Sequence, residues 1–117
     1  MIAQDSRTDR VHAGAELRAA LAQWRVKAGE DGGRGWSVVS VPLADGSTVW
    51  ISNHDSAADF APERHAGWLA VAYRDLGRCP EEFTEIYRSH SADFARDTAE
   101  LVAVVVQFAG EHGGSGV

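Results

Sequence analysis

Residues 36–52 read WSVVSVPLADGSTVWIS, from Trp36 to Ser52, and this stretch decides the fold. Two runs rich in β-branched and aromatic side chains flank Ala44-Asp45-Gly46, the composition of two strands joined by a tight turn. The length of the loop sets the register. A two-residue Asp45-Gly46 turn pairs Val41 with Trp50 and separates Val49 and Ile51 from Val39 and Val41. A three-residue loop, a type I turn closed by Gly46 in the left-handed conformation, pairs Val41 with Val49 and Val39 with Ile51. The second register gathers the aliphatic side chains on one face and is the expected one. It leaves Trp36, Val38, Ser40, Thr48 and Trp50 on the opposite face.

Moving toward the C-terminus, Gly67 to Arg74 (GWLAVAYR) alternates again, with Leu69, Val71 and Tyr73 on one side and Trp68, Ala70 and Ala72 on the other. This predicts a third strand. Leu76 to Pro80 reads as a turn. Residues 82–89 (EFTEIYRS) suit a short helix through Phe83, Ile86 and Tyr87, or a fourth strand through Thr84, Ile86 and Tyr87; strand is preferred because the next helix requires a change of direction near His90. That helix is predicted from Ser91 to about Gly110, with Ser91 as its cap and an apolar stripe through Phe94, Thr98, Leu101, Val105 and Phe108. Toward the N-terminus, Leu17, Leu21, Trp24 and Ala28 recur at spacings of three and four. They predict an amphipathic helix over Val11–Ala28 that Gly29 stops. The expected fold is therefore α+β, an antiparallel sheet of three to four strands with two helices in the order α-β-β-β-(β)-α.

A length of 117 residues, with 44% hydrophobic and 24% charged, suits one soluble globular domain. Its expected extent is 11–110, between a polar tail at 1–10 and a Gly-rich tail at 111–117. Seventeen acidic residues against eleven basic ones leave a net charge of −6. Such a field repels a phosphate backbone, so no nucleic-acid partner is expected. The stripe Arg74, Arg78 and Arg88 is the feature that speaks for one. A single cysteine, Cys79, excludes an intramolecular disulfide and every multi-cysteine metal motif. No apolar run approaches the roughly 20 residues of a membrane span. The N-terminus lacks the apolar stretch of a signal peptide, so the cytoplasm is the expected location and no membrane partner is expected.

Taking the aliphatic side of each strand as its core side puts Trp36, Trp50 and Trp68 together on the other face. With one helix on each side of the sheet those indoles form part of a three-layer core. With that side uncovered they form a platform for a protein partner or a small ligand. The loop at 53–65 (NHDSAADFAPERH) carries imidazole and carboxylate groups, the ligand types of zinc or non-haem iron, and His54, Asp55 and His65 are its candidate metal set. Read structurally, the same loop is solvated and Asp55 or Ser56 caps a turn. No G-x-S-x-G turn accompanies the serines and histidines, and Cys79 sits beside Pro80 in a turn. The glycines of 29–35 lie between helix and strand, the reverse of the order that presents a helix N-terminus to phosphate. No catalytic residue and no cofactor are implied.

Part of this chain resembles a known family. Val38 to Cys79, with Val49-Trp50-Ile51, Gly67-Trp68 opening the third strand and Gly77-Arg78-x-Pro80 before Phe83, resembles the MbtH-like proteins, small three-strand-plus-helix partners of nonribosomal peptide synthetase adenylation domains. The resemblance covers about a third of the chain. No proline precedes Gly67-Trp68, the family's closing W-x-D-x-R-P segment is absent and the N-terminal helix is extra, so no family is assigned. The expected function is a non-enzymatic binding or regulatory module acting through a protein or small-ligand surface on the sheet. The alternative is a small metal-dependent enzyme using His54, Asp55 and His65. Ala103, Val104 and Val106 widen the apolar arc of the last helix and suggest a homodimer through it.

Overall fold

The computed structural model describes residues 12–74 and 82–112. Its elements are α1 (Ala13–Ala22), β1 (Gly29–Gly33), β2 (Trp36–Pro42), β3 (Ser47–Ser52), a 3-10 turn at Pro62–Arg64, β4 (Leu69–Arg74), β5 (Glu82–Arg88) and α2 (Phe94–Glu111). The five strands form one antiparallel meander in the order β1-β2-β3-β4-β5. The expected α+β class holds, and the sheet has five strands where three to four were expected.

The β2–β3 hairpin has the three-residue loop. Val39 pairs with Ile51 and Val41 with Val49, and Gly46 turns the chain at φ 92°. Asp45 Oδ1 accepts from the Ser47 N–H at 2.9 Å, which fixes the turn from inside. The strand reading of 82–89 is also correct: β5 lies beside β4 with a register shift at Ala70/Val71. The additional strand is β1. Its Gly-Glu-Asp-Gly-Gly sequence has no β propensity, yet it pairs along its length with β2 from Gly29↔Ser40 to Gly33↔Trp36. Arg34-Gly35 closes that hairpin, with Gly35 at φ 82°.

Helix α1 ends at Ala22 instead of Ala28. Arg25 adopts a left-handed φ of 62°, its N–H donates to the Ala22 carbonyl at 2.9 Å, and the Val26 N–H reaches back to the Leu21 carbonyl at 3.1 Å. This is a Schellman termination with arginine in the position usually held by glycine. Leu21 and Val26 make the apolar contact that accompanies it, and both are buried. Trp24, expected on the apolar stripe, is thrown outward and is 64% exposed. Helix α2 starts at Phe94 with Asp93 as its cap, whose side chain accepts from the Arg96 N–H at 3.1 Å; Ser91 instead accepts from the Asp93 N–H. At its other end α2 runs through Glu111, and His112 Nδ1 lies 2.7 Å from Asp45 Oδ2. The expected tail from 111 is thus pinned for its first two residues, while 1–10, the turn at 76–80 and 113–117 lie outside the described residues.

Both helices lie on one face of the sheet, α1 against β2 and α2 against β5, and they pack on each other. Leu17 and Leu21 of α1 and Leu101 and Val105 of α2 close over Val39, Val41, Val49, Ile51, Ala70 and Ala72. The three-layer arrangement does not occur: among the described residues no helix covers the other face.

Candidate binding surface

The register across the sheet places the open face residue by residue. Asp31 pairs with Val38, Val38 falls opposite Ser52, Ser52 pairs with Leu69, and Leu69 with Arg88. The next rung of that face is Gly29, Ser40, Trp50, Val71 and Glu85. Beyond it come Pro42, Thr48, Tyr73 and Phe83. The centre of the face is therefore uncharged, and its ionised groups stand at the margins: Asp31 on β1, and Glu85 with Arg88 on β5.

Four aromatic rings run across this face. Trp36 and Trp50 lie 6.0 Å apart between centroids, Trp50 and Tyr73 5.2 Å, and Tyr73 and Phe83 5.2 Å, with interplanar angles of 34°, 25° and 32°. The rings lean on one another: Trp50 and Tyr73 are stacked, and Trp36 and Phe83 are tilted against them. Trp36 also folds over β1: a Cβ on Gly33 would stand 2.6 Å from its Nε1. At the ends of the row Trp36 is 38% and Phe83 60% exposed, a large apolar display for the surface of a small domain. Between Trp36, Trp50, Leu69, Val71 and Phe83 lies a cleft of about 340 Å³ whose lining also includes Ser52 and Ser56. Arg88 donates twice to Glu85 Oε1, at 2.7 and 3.1 Å, and these hydrogen bonds hold the Glu85 carboxyl below its usual pKa.

Trp68 does not join this face, which corrects the grouping of Trp36, Trp50 and Trp68. It is fully buried on the helix side, where its Nε1–H donates to Thr98 Oγ1 at 2.9 Å. In β4 the small side chains, not the aliphatic ones, face the core. Ala70 and Ala72 sit opposite the core residues Ile51 and Val49, and direct cross-strand partners share a face. Trp68 has the parity of Ala70. Pairing 67–74 to β3 before assigning faces is the step that finds this.

The loop residues His54, Asp55 and His65 take separate roles. His54 stacks on His90 with 4.7 Å between ring centroids, and its Nε2 lies 2.7 Å from the Ser89 carbonyl oxygen. Asp55 is exposed, and its N–H donates to Asn53 Oδ1 at 2.8 Å, a turn held by an asparagine side chain. His65 is buried against Asp97. Among the described residues no group of three His, Cys, Asp or Glu side chains stands so as to hold a metal ion.

Asp97 is the buried polar centre that the sequence did not reveal. Its Oδ2 lies 2.7 Å from His65 Nε2 and accepts from Ser89 Oγ at 2.6 Å and from the Trp68 N–H at 3.1 Å, while the Tyr87 hydroxyl donates to Oδ1. Burial works to raise this carboxyl, but the donors of Ser89, Tyr87, His65 and the Trp68 backbone outweigh it and hold it below the usual range. The Tyr87 hydroxyl is correspondingly pushed up, by its own burial first and then by Asp97. His65 Nδ1 has no hydrogen-bond partner among the described residues. With the ring hydrogen on Nε2, where it serves Asp97, only a lone pair is left unmatched there, which costs less than an orphaned N–H. His65 is shut in by the rings of Phe60, Trp68 and Phe94, and the Ser89 hydroxyl serves Asp97 rather than a base. The cluster ties the segment before β4, the end of β5 and the first turn of α2 together; it is not a nucleophilic site. The spacing of Asp97 and Leu101, four residues apart within an apolar stripe, is the signal that marks Asp97 as inward-facing.

Two grooves open elsewhere. One, about 550 Å³, runs between the helices past Trp24, Ala99, Ala103 and Val106; the other, about 770 Å³, lies between α1 and β1 with Arg18, Arg25 and Lys27 in its lining. Of the surplus apolar residues on α2, Val106 packs against the core, Val104 is half-buried and Ala103 is exposed. The basic stripe is spoken for where it is described: Arg74 pairs with Asp45 at 3.1 Å and Arg88 with Glu85, while Arg78, like Cys79, lies outside the described residues. No helix among the described residues is long and apolar enough to cross a membrane. Comparison with protein-family models, with curated proteins and with solved structures gives no match to this chain.

Proposed function

We propose that the protein is a non-enzymatic binding module whose working surface is the open sheet face around Trp36 and Trp50, and that its partner there is a polypeptide. One observation carries this reading: both helices lie on the same side of the sheet, leaving the aromatic row of the other side uncovered by any described element. The choice of a polypeptide over a sugar or nucleobase follows from ring geometry. Flat ligands of those kinds stack on free π faces, whereas Trp50 is stacked on Tyr73 with Trp36 tilted against it, and the row offers edges, methyl groups and a shallow cleft. An interleaving set of apolar side chains fits such relief, and the acidic field further disfavours nucleic acid.

Tryptophan fluorescence tests the reading. In a Trp24→Phe background, dilute protein is expected to show Trp36 and Trp50 open to acrylamide while Trp68 stays shielded and blue-shifted. Indoles that are uniformly blue-shifted and shielded at every dilution would sink it. The metal-dependent alternative through His54, Asp55 and His65 has no geometric support, and stoichiometric zinc, iron or manganese in untagged protein is the result that would restore it.

A further inference from the structure

The charges at the margins of the open face select its occupant. Asp31 and Arg88 stand on the same rung of the sheet, at opposite edges and on the same side: Asp31, Val38, Ser52, Leu69, Arg88. A two-fold axis parallel to β3, placed above the middle of this face, carries β1 of one copy over β5 of the other. It keeps every rung in place while reversing its order. Asp31 then meets Arg88 of a second copy, Leu69 lies over the already buried Val38, and Ser52 meets Ser52. On the neighbouring rung the bulky Val71 meets the small Ser40, and Trp50 lies on the axis. Leu69 and Val38 bring apolar groups together, Val71 faces the smaller Ser40, Trp50 meets its own copy on the axis, and each copy contributes one acid and one base to two equivalent ion pairs. The other in-plane axis, across the strands, sets β1 over β1 and β5 over β5, bringing like margins together.

We infer that the open face is the interface of a two-fold homodimer, sheet against sheet, with Asp31 of each copy paired to Arg88 of the other. The inference rests on the reading of this face as a polypeptide-binding surface and names a second copy of the chain as the polypeptide. Aligned sheet packing separates the layers by about 10 Å, which suits interdigitation of rows such as Trp50 and Val71. Five strands about 4.8 Å apart and six residues of about 3.4 Å give a footprint of roughly 24 by 20 Å, about 960 Å² over the two copies, in the range of weak, transient interfaces. The dimer is therefore concentration-dependent. Arg88 remains within reach of Glu85, so docking adds a second acid to an existing pair.

Sedimentation equilibrium of the full chain over a wide concentration series tests this, with circular dichroism confirming that each variant is folded. The wild type is expected to dimerise. Thr48→Lys, which sets like charges against each other across the axis, and Val71→Lys are each expected to give monomer. Asp31→Lys and Arg88→Glu are each expected to weaken association about tenfold, since two symmetric pairs are reversed at once, and the double reversal is expected to regain it. Single-variant weakening without rescue in the double variant overturns the two-fold pairing. A dimer dissociated by Val104→Glu but not by Val71→Lys overturns the sheet interface in favour of α2. A wild type that stays monomeric with Trp36 and Trp50 open to quencher overturns the second copy as occupant and leaves the binding face standing; monomer with both indoles shielded overturns both.

Discussion

Replacing Asp97 with alanine removes the acceptor shared by four donors. Two of them, the Trp68 N–H and the His65 ring, are enclosed; the Trp68 N–H keeps Ser89 Oγ at 3.2 Å as a second acceptor, so the His65 ring N–H is the donor left unsatisfied, at a cost of about 1–3 kcal/mol. The hydroxyls of Ser89 and Tyr87 belong to half-buried residues and are able to turn toward water, so their share is small. The expected loss is about 2–4 kcal/mol, the unsatisfied donor together with the charge-assisted hydrogen bonds that the other donors lose. Urea denaturation at neutral pH measures it, with Glu100→Ala on the exposed side of α2 as a control that should stay within about 0.5 kcal/mol. The pH dependence provides an internal check. The folded carboxyl sits below the unfolded value of about 3.9, so its stabilisation is complete above that value and is lost as pH falls through the folded one. The gap between wild type and Asp97→Ala should shrink as pH falls below about 4. Asp45, also depressed, first by its hydrogen bonds to Ser47, contributes equally to both proteins and cancels. A loss below about 1 kcal/mol, or a gap that widens in acid, refutes the role given to Asp97.

Further outcomes follow from the helices. Leu101, with no exposed surface, faces the sheet at the centre of α2; Leu101→Ala should cost about 2–5 kcal/mol in the same melts. Arg25→Gly should leave stability unchanged or raise it by up to about 1 kcal/mol, because the left-handed strain it removes exceeds or matches the glycine entropy it adds, and a clear loss would mean that the arginine side chain has a role the termination motif does not give it.

What the sequence revealed, and what it hid, divides along the physics of each segment. The register of β2 and β3 was legible because Val39, Val41, Val49 and Ile51 leave one alternation that buries all four. Strand β1 was not, because its glycines and acids form a strand only when β2 is present to pair with. The end of α1 was hidden by Arg25: the periodicity of Leu17, Leu21, Trp24 and Ala28 runs on past a termination that an arginine, instead of a glycine, completes. The placement of Trp36 and Trp50 on the face opposite Val39, Val41, Val49 and Ile51 was legible from the hairpin register. Trp68 was misplaced because side-chain size misled the choice of core face in β4, whose core-facing residues are Ala70 and Ala72, with Trp68 at the same parity before them. The approach of Asp97 to His65 joins residues 32 apart through the tertiary fold, and no local pattern records it.

The central claim is that the sheet face, and not the helical side, meets the protein's partner. A photo-activated cross-linking residue at Thr48, on the open face, and in a separate variant at Ala99, in the groove between the helices, compares the two sides directly in the native host. A discrete polypeptide adduct from position 48 and none from position 99 is the expected result. No adduct from 48, or adducts from 99 alone, would contradict it.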